Sequence, residues 1–240
     1  MPFQSSLDLK NHGWDNIAWR SAISPDLVSW AVDSAPALSP DAPYDCKGAF
    51  TGCMLPCQDG VLTCVYTSVS ALPIHHTLPH PKRCESLSMA RSIDGGKTWE
   101  KFAGNPILPS EPSGIDVTGW RDPYVSSWPS MASFMDLPAN STLFGIISGG
   151  IRNVTPTTFL YAIDSTDLTK WRYVGPLVDL GHNKRPSRWS GDLGKNWEVT
   201  NFLTLEDEKD PSIKKNFLIM GTEGCISNPQ NLPNSDSSEM

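Results

Sequence analysis

The sequence predicts an all-β protein built as part of a radial β-propeller, on three observations. Short runs rich in β-branched and aromatic residues alternate with clusters of Pro, Gly, Asn and Asp. Helical periodicity is hard to find along the chain. Above all, a segment recurs: SPDLVSW, SIDGGKTW and STDLTKW each run from Ser through Asp and a short polar turn to Trp. Their tryptophans, Trp30, Trp99 and Trp171, stand 69 (30 to 99) and 72 (99 to 171) residues apart. A supersecondary unit of about four strands repeating at a steady interval is the mark of a propeller blade, and long insertions account for a spacing above the usual one. The competing architecture is a β-sandwich whose turns echo by chance.

Taken in chain order, each element has a local reason. In SPDLVSW, Asp26 is placed to bond the turn backbone and Trp30 to open the next strand and cap the packing. VLTCVYTSV (61–69) is a strand in which Cys64 reads as a buried apolar thiol. SIDGGKTW repeats the hairpin. In GWRDPYV (119–125), Pro123 is expected to hold Asp122 extended and to interrupt regular pairing. Adjacent strand residues point to opposite faces, so Arg121 is not assumed to share a pocket with Asp122. LFGIISGG and TTFLYAID read as a strand pair, STDLTKW as the third hairpin, and KNWEVTNFLTL and KNFLIMG as another pair. Glu198 lies between Trp197 and an apolar strand, neighbours expected to desolvate it and raise its pKa.

Composition excludes several classes. A net charge of -7 with no basic stripe argues against nucleic acid as a partner. The longest nearly unbroken apolar run, LFGIISGGI (143–151), is far shorter than the roughly 20 residues of a spanning helix, so no membrane partner is expected. The N-terminus carries no secretory pattern, and the compartment, secreted or cytoplasmic, stays open. Six cysteines are irregularly spaced, and only Cys53 and Cys57 resemble a metal half-site. His75, His76 and His80 in PIHHTLPH have no carboxylate near them in sequence, so the loop reads as a pocket rim and neither metal nor cofactor is expected. Asn140-Ser141-Thr142 and Asn153-Val154-Thr155 are glycosylation sequons that matter only in a secreted protein.

The ordered series HGWDNIAW, SPDLVSW, GAFTGC, SIDGGKTWEKFAGNPIL, GWRDPYV, FGIISGGIRNVTPTTFLY, RPSRWSGDLGKNWEVTNF and GTEGC, from about residue 11 to 228, resembles glycoside hydrolase family 32. It is most similar to the fungal fructosyltransferases and invertases. The resemblance implies a five-bladed β-propeller followed by a β-sandwich, and retaining cleavage of β-fructofuranosides such as sucrose or fructo-oligosaccharides, with water or a second sugar as acceptor. It implies Asp122 as transition-state stabiliser, Arg121 as shaping the fructose site, and Glu198 as acid and then base. Trp14, Phe50 and Thr51 match positions around the sugar pocket, Glu223 is the candidate for the far sugar, and His75 and His76 for the acceptor rim. Many relatives carry Cys after the acid/base Glu; this chain carries Val199, as the fungal branch does.

The family nucleophile belongs to an Asn-Asp-Pro motif, and these 240 residues contain none. Residues 1–228 are therefore expected to form about three to four blades lacking the first inner strand, with 229–240 a polar tail and the family's sandwich absent. Such a chain is expected to be inactive. The alternatives are a non-catalytic sugar-binding or remnant propeller and, on the Asp-turn hairpin alone, a sialidase.

Overall fold

The computed structural model describes residues 2–6, 16–55, 60–187 and 191–226. Apart from one helical turn-and-a-half, α1 (Pro129–Phe134), its regular structure is β. The first unit consists of β1 (Pro2–Ser6), β2 (Ile17–Ile23) and β3 (Ala31–Val32), with β2 pairing antiparallel to both. β4 (Gly48–Met54), β5 (Leu62–Val69), β6 (Glu85–Ser92) and β7 (Glu100–Lys101) form a four-stranded antiparallel blade. A parallel bridge from Ile17 to Gly48 joins it to β2. β8 (Val117–Ser126), β9 (Thr142–Ile151), β10 (Thr155–Asp164) and β11 (Trp171–Pro176) repeat that order in a separate sheet. β12 (Asn196–Glu206) and β13 (Lys214–Glu223) form the third sheet. This is a partial propeller, with two four-stranded blades flanked by partial ones among the described residues.

The repeated segment connects the last two strands of successive units. It joins β2 to β3, β6 to β7 and β10 to β11. In each, the Asp folds the turn: Asp26 Oδ1 accepts from the Val28 and Ser29 amides at 2.9 and 2.7 Å, Asp94 Oδ1 from Lys97 and Thr98, and Asp167 Oδ1 from Thr169. These bonds lower the Asp26 and Asp167 carboxyls to about 2, the Ser29 amide leading for the first and the Thr169 hydroxyl for the second. Trp99 and Trp171 close their turns by donating Nε1–H to Gly96 and Leu168 carbonyls. Trp30 departs from the expectation: it is 45% exposed, because two-residue β3 offers no blade face for it to cover.

Packing between blades explains why β9 and β10 are buried almost continuously instead of alternating. One face meets Val65, Leu87 and Met89 of the preceding blade in a core that also takes Trp120, Ile147, Phe159 and Ile163. The other packs Phe144, Ile146 and Leu160 against Trp128 of the β8–α1 link and Phe202 of β12. Trp128 and Phe202 stack at 4.4 Å. The β8–β9 contact requires glycine: a Cβ at Gly149 would lie 1.9 Å from the Gly119 carbonyl oxygen. The cysteines described are free thiols, and burial pushes Cys53, Cys64 and Cys84 up to about 12, as expected for Cys64 from its strand. Cys57, the other half of the C-x3-C pair, lies outside the described residues.

Candidate active site

The inner strands β4, β8 and β12 converge on a pocket of ≈ 320 Å³ whose lining includes Phe50, Thr51, His75, Arg121, Asp122, Glu198 and Glu223. A larger concavity of ≈ 530 Å³, bordered by His80, Arg83 and Glu111, contains neither Asp122 nor Glu198. The carboxylates therefore select the smaller one.

Two interruptions of strand pairing aim the acids. The β8–β9 register shifts between Arg121 and Tyr124, and the β12–β13 register between Glu198 and Asn201. Extra residues in one strand bend it and redirect its side chains. Asp122 adopts φ +59, in the left-handed region. The expectation that Pro123 keeps Asp122 extended is thereby corrected: the bulge sets its conformation, and Arg121 and Asp122 consequently both reach the pocket. Val199 adopts φ +48, rare for a β-branched residue. The two unusual residues hold each other, since the Val199 amide donates to Asp122 Oδ2 at 3.1 Å. Asp122's own amide donates to Thr67 Oγ1 at 2.8 Å, and that hydroxyl donates to the Thr51 carbonyl. A chain of bonds thus ties β4, β5, β8 and β12 around one carboxylate.

Asp122 is 5% exposed. Burial pushes its carboxyl up to about 6, against the opposing pull of Arg121 and the Val199 amide. It is mainly ionised at neutral pH. Glu198 differs from its expectation. Trp197 turns away into the interior, while the Glu198 side chain remains 35% exposed and meets Arg121 instead of apolar neighbours. Arg121 Nε and Nη2 donate to Glu198 Oε1 at 3.0 and 2.5 Å. The same guanidinium reaches Glu223 Oε2 at 3.2 Å and Glu85 Oε1 at 3.2 Å.

Glu85 and Asn196 were not singled out in the sequence. Glu85 is fully buried and also accepts the Trp120 amide through Oε2 at 2.6 Å. Asn196 joins the Thr118 hydroxyl to Glu223 Oε2 at 2.7 and 2.8 Å. The available signal was weak: a carboxylate opening the strand ESLSMARS, whose next five residues are apolar or hydroxyl-bearing, and an Asn two residues before a candidate acid. Phe50 and Thr51 lie on the pocket wall, and His75 on its rim. His76 Nδ1 stands 3.6 Å from Glu223 Oε2, so the carboxylate that PIHHTLPH lacks in sequence is supplied by β13. Burial lowers His76 below the ordinary histidine value, with Glu223 opposing. His80 turns away from this rim toward Glu85 and Glu111. Trp14 lies outside the described residues.

Inner strands of successive blades that bring carboxyls and an arginine to one axial pocket define the class, a propeller with an acidic central site. The chain belongs to glycosyl hydrolase family 32: the model of that family's N-terminal domain matches residues 3–235. Among solved structures, it superposes on a β-fructofuranosidase of Aspergillus kawachii complexed with glycerol with a TM-score of 0.79 at 30% identity, covering 92% of this chain and 36% of that one. For a fructosyltransferase of A. japonicus the TM-score is 0.77 at 27% identity, covering 92% and 39%. A curated relative, the vacuolar acid β-fructofuranosidase 1 of a Rosa hybrid cultivar, is 35% identical over 117 residues, which make up 48% of this chain and 18% of the relative. The matched part is thus well under half the length of each of these proteins.

Proposed function

We propose that the pocket receives the β-fructofuranosyl unit of sucrose or a fructo-oligosaccharide and serves a retaining glycoside hydrolase that passes fructose to water or a sugar acceptor. The observation that carries this reading is the convergence of Asp122, Arg121 and Glu198 from two blades on one pocket. In this reading Asp122, ionised above about pH 6, accepts hydrogen bonds from fructose hydroxyls and stabilises positive charge developing on the ring. Glu198 protonates the leaving oxygen and later deprotonates the acceptor. Both Arg121 bonds fall on Glu198 Oε1, so Oε2 is the atom left to carry the proton. Glu223, held by Arg121 and Asn196, is placed to bind the sugar beyond the scissile bond.

A retaining mechanism also needs a nucleophile roughly 5 Å from the acid. The family's Asn-Asp-Pro does not occur in these 240 residues, and Asp122, tied to the Val199 amide, is assigned to the ring hydroxyls. That absence favours a second reading for the chain taken alone, sugar binding without turnover. Two measurements on the purified chain separate the cases: fructose binding followed by tryptophan fluorescence, and glucose release from sucrose. Binding without release supports the site and the missing nucleophile together. Robust release shows that the nucleophile is misassigned, and failure to bind fructose removes the sugar-site reading.

A further inference from the structure

We propose that His75, His76 and Glu223 form a binding site for a divalent transition-metal cation, of which zinc is the type, at the rim of the pocket. One ligand atom from each residue lies within 4.8 Å of the other two. The atoms of a tetrahedral zinc shell stand about 3.4 Å apart, and the His76 Nδ1 to Glu223 Oε2 distance of 3.6 Å already approaches this. His75 is exposed, so rotation of its ring closes the remaining gap without disturbing a core. The two imidazoles lie against each other, with centroids 4.3 Å apart.

The atom at the centre of the argument is His76 Nδ1, which is buried and has no hydrogen-bond partner. A buried nitrogen in that condition is costly unless something else satisfies it. A cation does so directly. The surrounding groups orient the ligands as outer partners do in metal sites. His75 Nδ1 is engaged by Thr77, 2.7 Å from its hydroxyl and 3.3 Å from its amide nitrogen, which leaves Nε2 as the nitrogen that can face the cation. Asn196 and Arg121 donate to Glu223 Oε2 and so fix the carboxylate beside His76. Two imidazoles and one carboxylate suit zinc, copper or nickel and disfavour magnesium or calcium, and a fourth position stays open to water. Arg121 places positive charge beside the same carboxylate and so limits the affinity. The site links the loop after β5 to the end of β13, across two blades. It does not depend on what sugar the pocket takes.

The test uses the purified 240-residue chain, titrated with zinc by calorimetry and with cobalt as a spectroscopic probe. The expected results are one site per chain, a cobalt spectrum without thiolate charge-transfer bands, and zinc binding at least about tenfold weaker in His75→Ala and in Glu223→Gln. His75 is exposed, so its replacement leaves the fold intact. Absence of zinc binding, unchanged affinity in His75→Ala, or a thiolate band placing the metal on the cysteines overturns the proposal. Fructose binding is scored separately, so loss of one reading does not decide the other.

Discussion

Replacing Asp122 with Asn should make the protein more stable at neutral pH, by an amount that shrinks as the solution is acidified. The folded chain holds this carboxyl at 5% exposure, and burial raises it from 3.8 to about 6. Because the folded-state value is the higher one, the native state binds the proton more tightly than the unfolded chain does. Protonated Asp122 therefore favours folding fully below about pH 3.8, and that contribution is lost as pH rises through about 6. At about 1.4 kcal/mol for each tenfold change in proton affinity, ionisation costs about 3 kcal/mol at roughly pH 7.5 and about 1 kcal/mol at roughly pH 4.5. Asn keeps an oxygen for the Val199 amide and carries no charge to desolvate. Arg121 is not orphaned, since Glu85, Glu198 and Glu223 still face it. Urea denaturation followed by tryptophan fluorescence, for both proteins at both pH values, measures the two differences. The change in the difference between the two pH values isolates ionisation from any packing effect of the substitution. A variant no more stable than the parent near neutrality, or a gain that does not fall on acidification, would refute the account of Asp122 as a desolvated carboxylate.

Three further outcomes follow from the same geometry. Gly149→Ala drives a methyl against the Gly119 carbonyl, a backbone atom that cannot rotate away, and should cost about 3 kcal/mol or prevent folding, read from the urea midpoint. Glu85→Ala removes one of the three carboxylates on Arg121 and the acceptor of the Trp120 amide; a loss of about 2–4 kcal/mol and weaker fructose binding are expected, and an unchanged denaturation curve would show that the pair is idle. In an active enzyme bearing this site, Glu198→Gln should lower sucrose turnover by about two to four orders of magnitude with little change in substrate binding, and a near-normal rate would place the acid elsewhere.

The hairpins were legible because their information is local. An Asp at a fixed offset from the turn amides does the same thing wherever it stands, so SIDGGKTW and STDLTKW reveal the blade period without any tertiary knowledge. LFGIISGG and TTFLYAID were legible as a strand pair, and their burial on both faces came to light only with the packing of neighbouring blades. Arg121, Asp122 and Glu198 were found through motif, and their convergence from β8 and β12 is now visible. The sequence disclosed the bulges only in part: Pro123 signalled the interruption of pairing in β8, and nothing signalled the one in β12. A register shift depends on which residues face each other across two strands, and neither GWRDPYV nor NWEVTNF contains that partner. The same holds for the meeting of His76 with Glu223, residues 76 and 223 being joined only by the closing of the blades, and for Glu85, whose role comes from the guanidinium and the Trp120 amide it meets on the next blade. Desolvation was attached to the wrong acid for a related reason. Flanking apolar residues predict burial only while the strand alternates regularly, and at Glu198 the bulge breaks that alternation.

The two strained positions are best understood as a single device. A lone β-branched residue at φ +48 or a lone Asp at φ +59 would relax if its surroundings allowed it. Here each removes the other's exit, because the Val199 amide can reach Asp122 Oδ2 only while both bulges persist, and Thr67 fixes the Asp122 amide from a third strand. Packing supplies the rigidity: Trp120 and Trp197, each about 1% exposed, sit immediately before the two bulged segments and anchor them to the interior. Substitutions at these tryptophans therefore act on the carboxylates without touching them. The same arrangement explains why the pocket gathers charge that a folding chain would otherwise avoid. Four carboxylates share one guanidinium or its immediate neighbourhood, an expensive assembly that regular strands would have turned outward to water. Bulges, strain and buried charge are thus three views of one requirement, that carboxyls from separate blades face a common small volume.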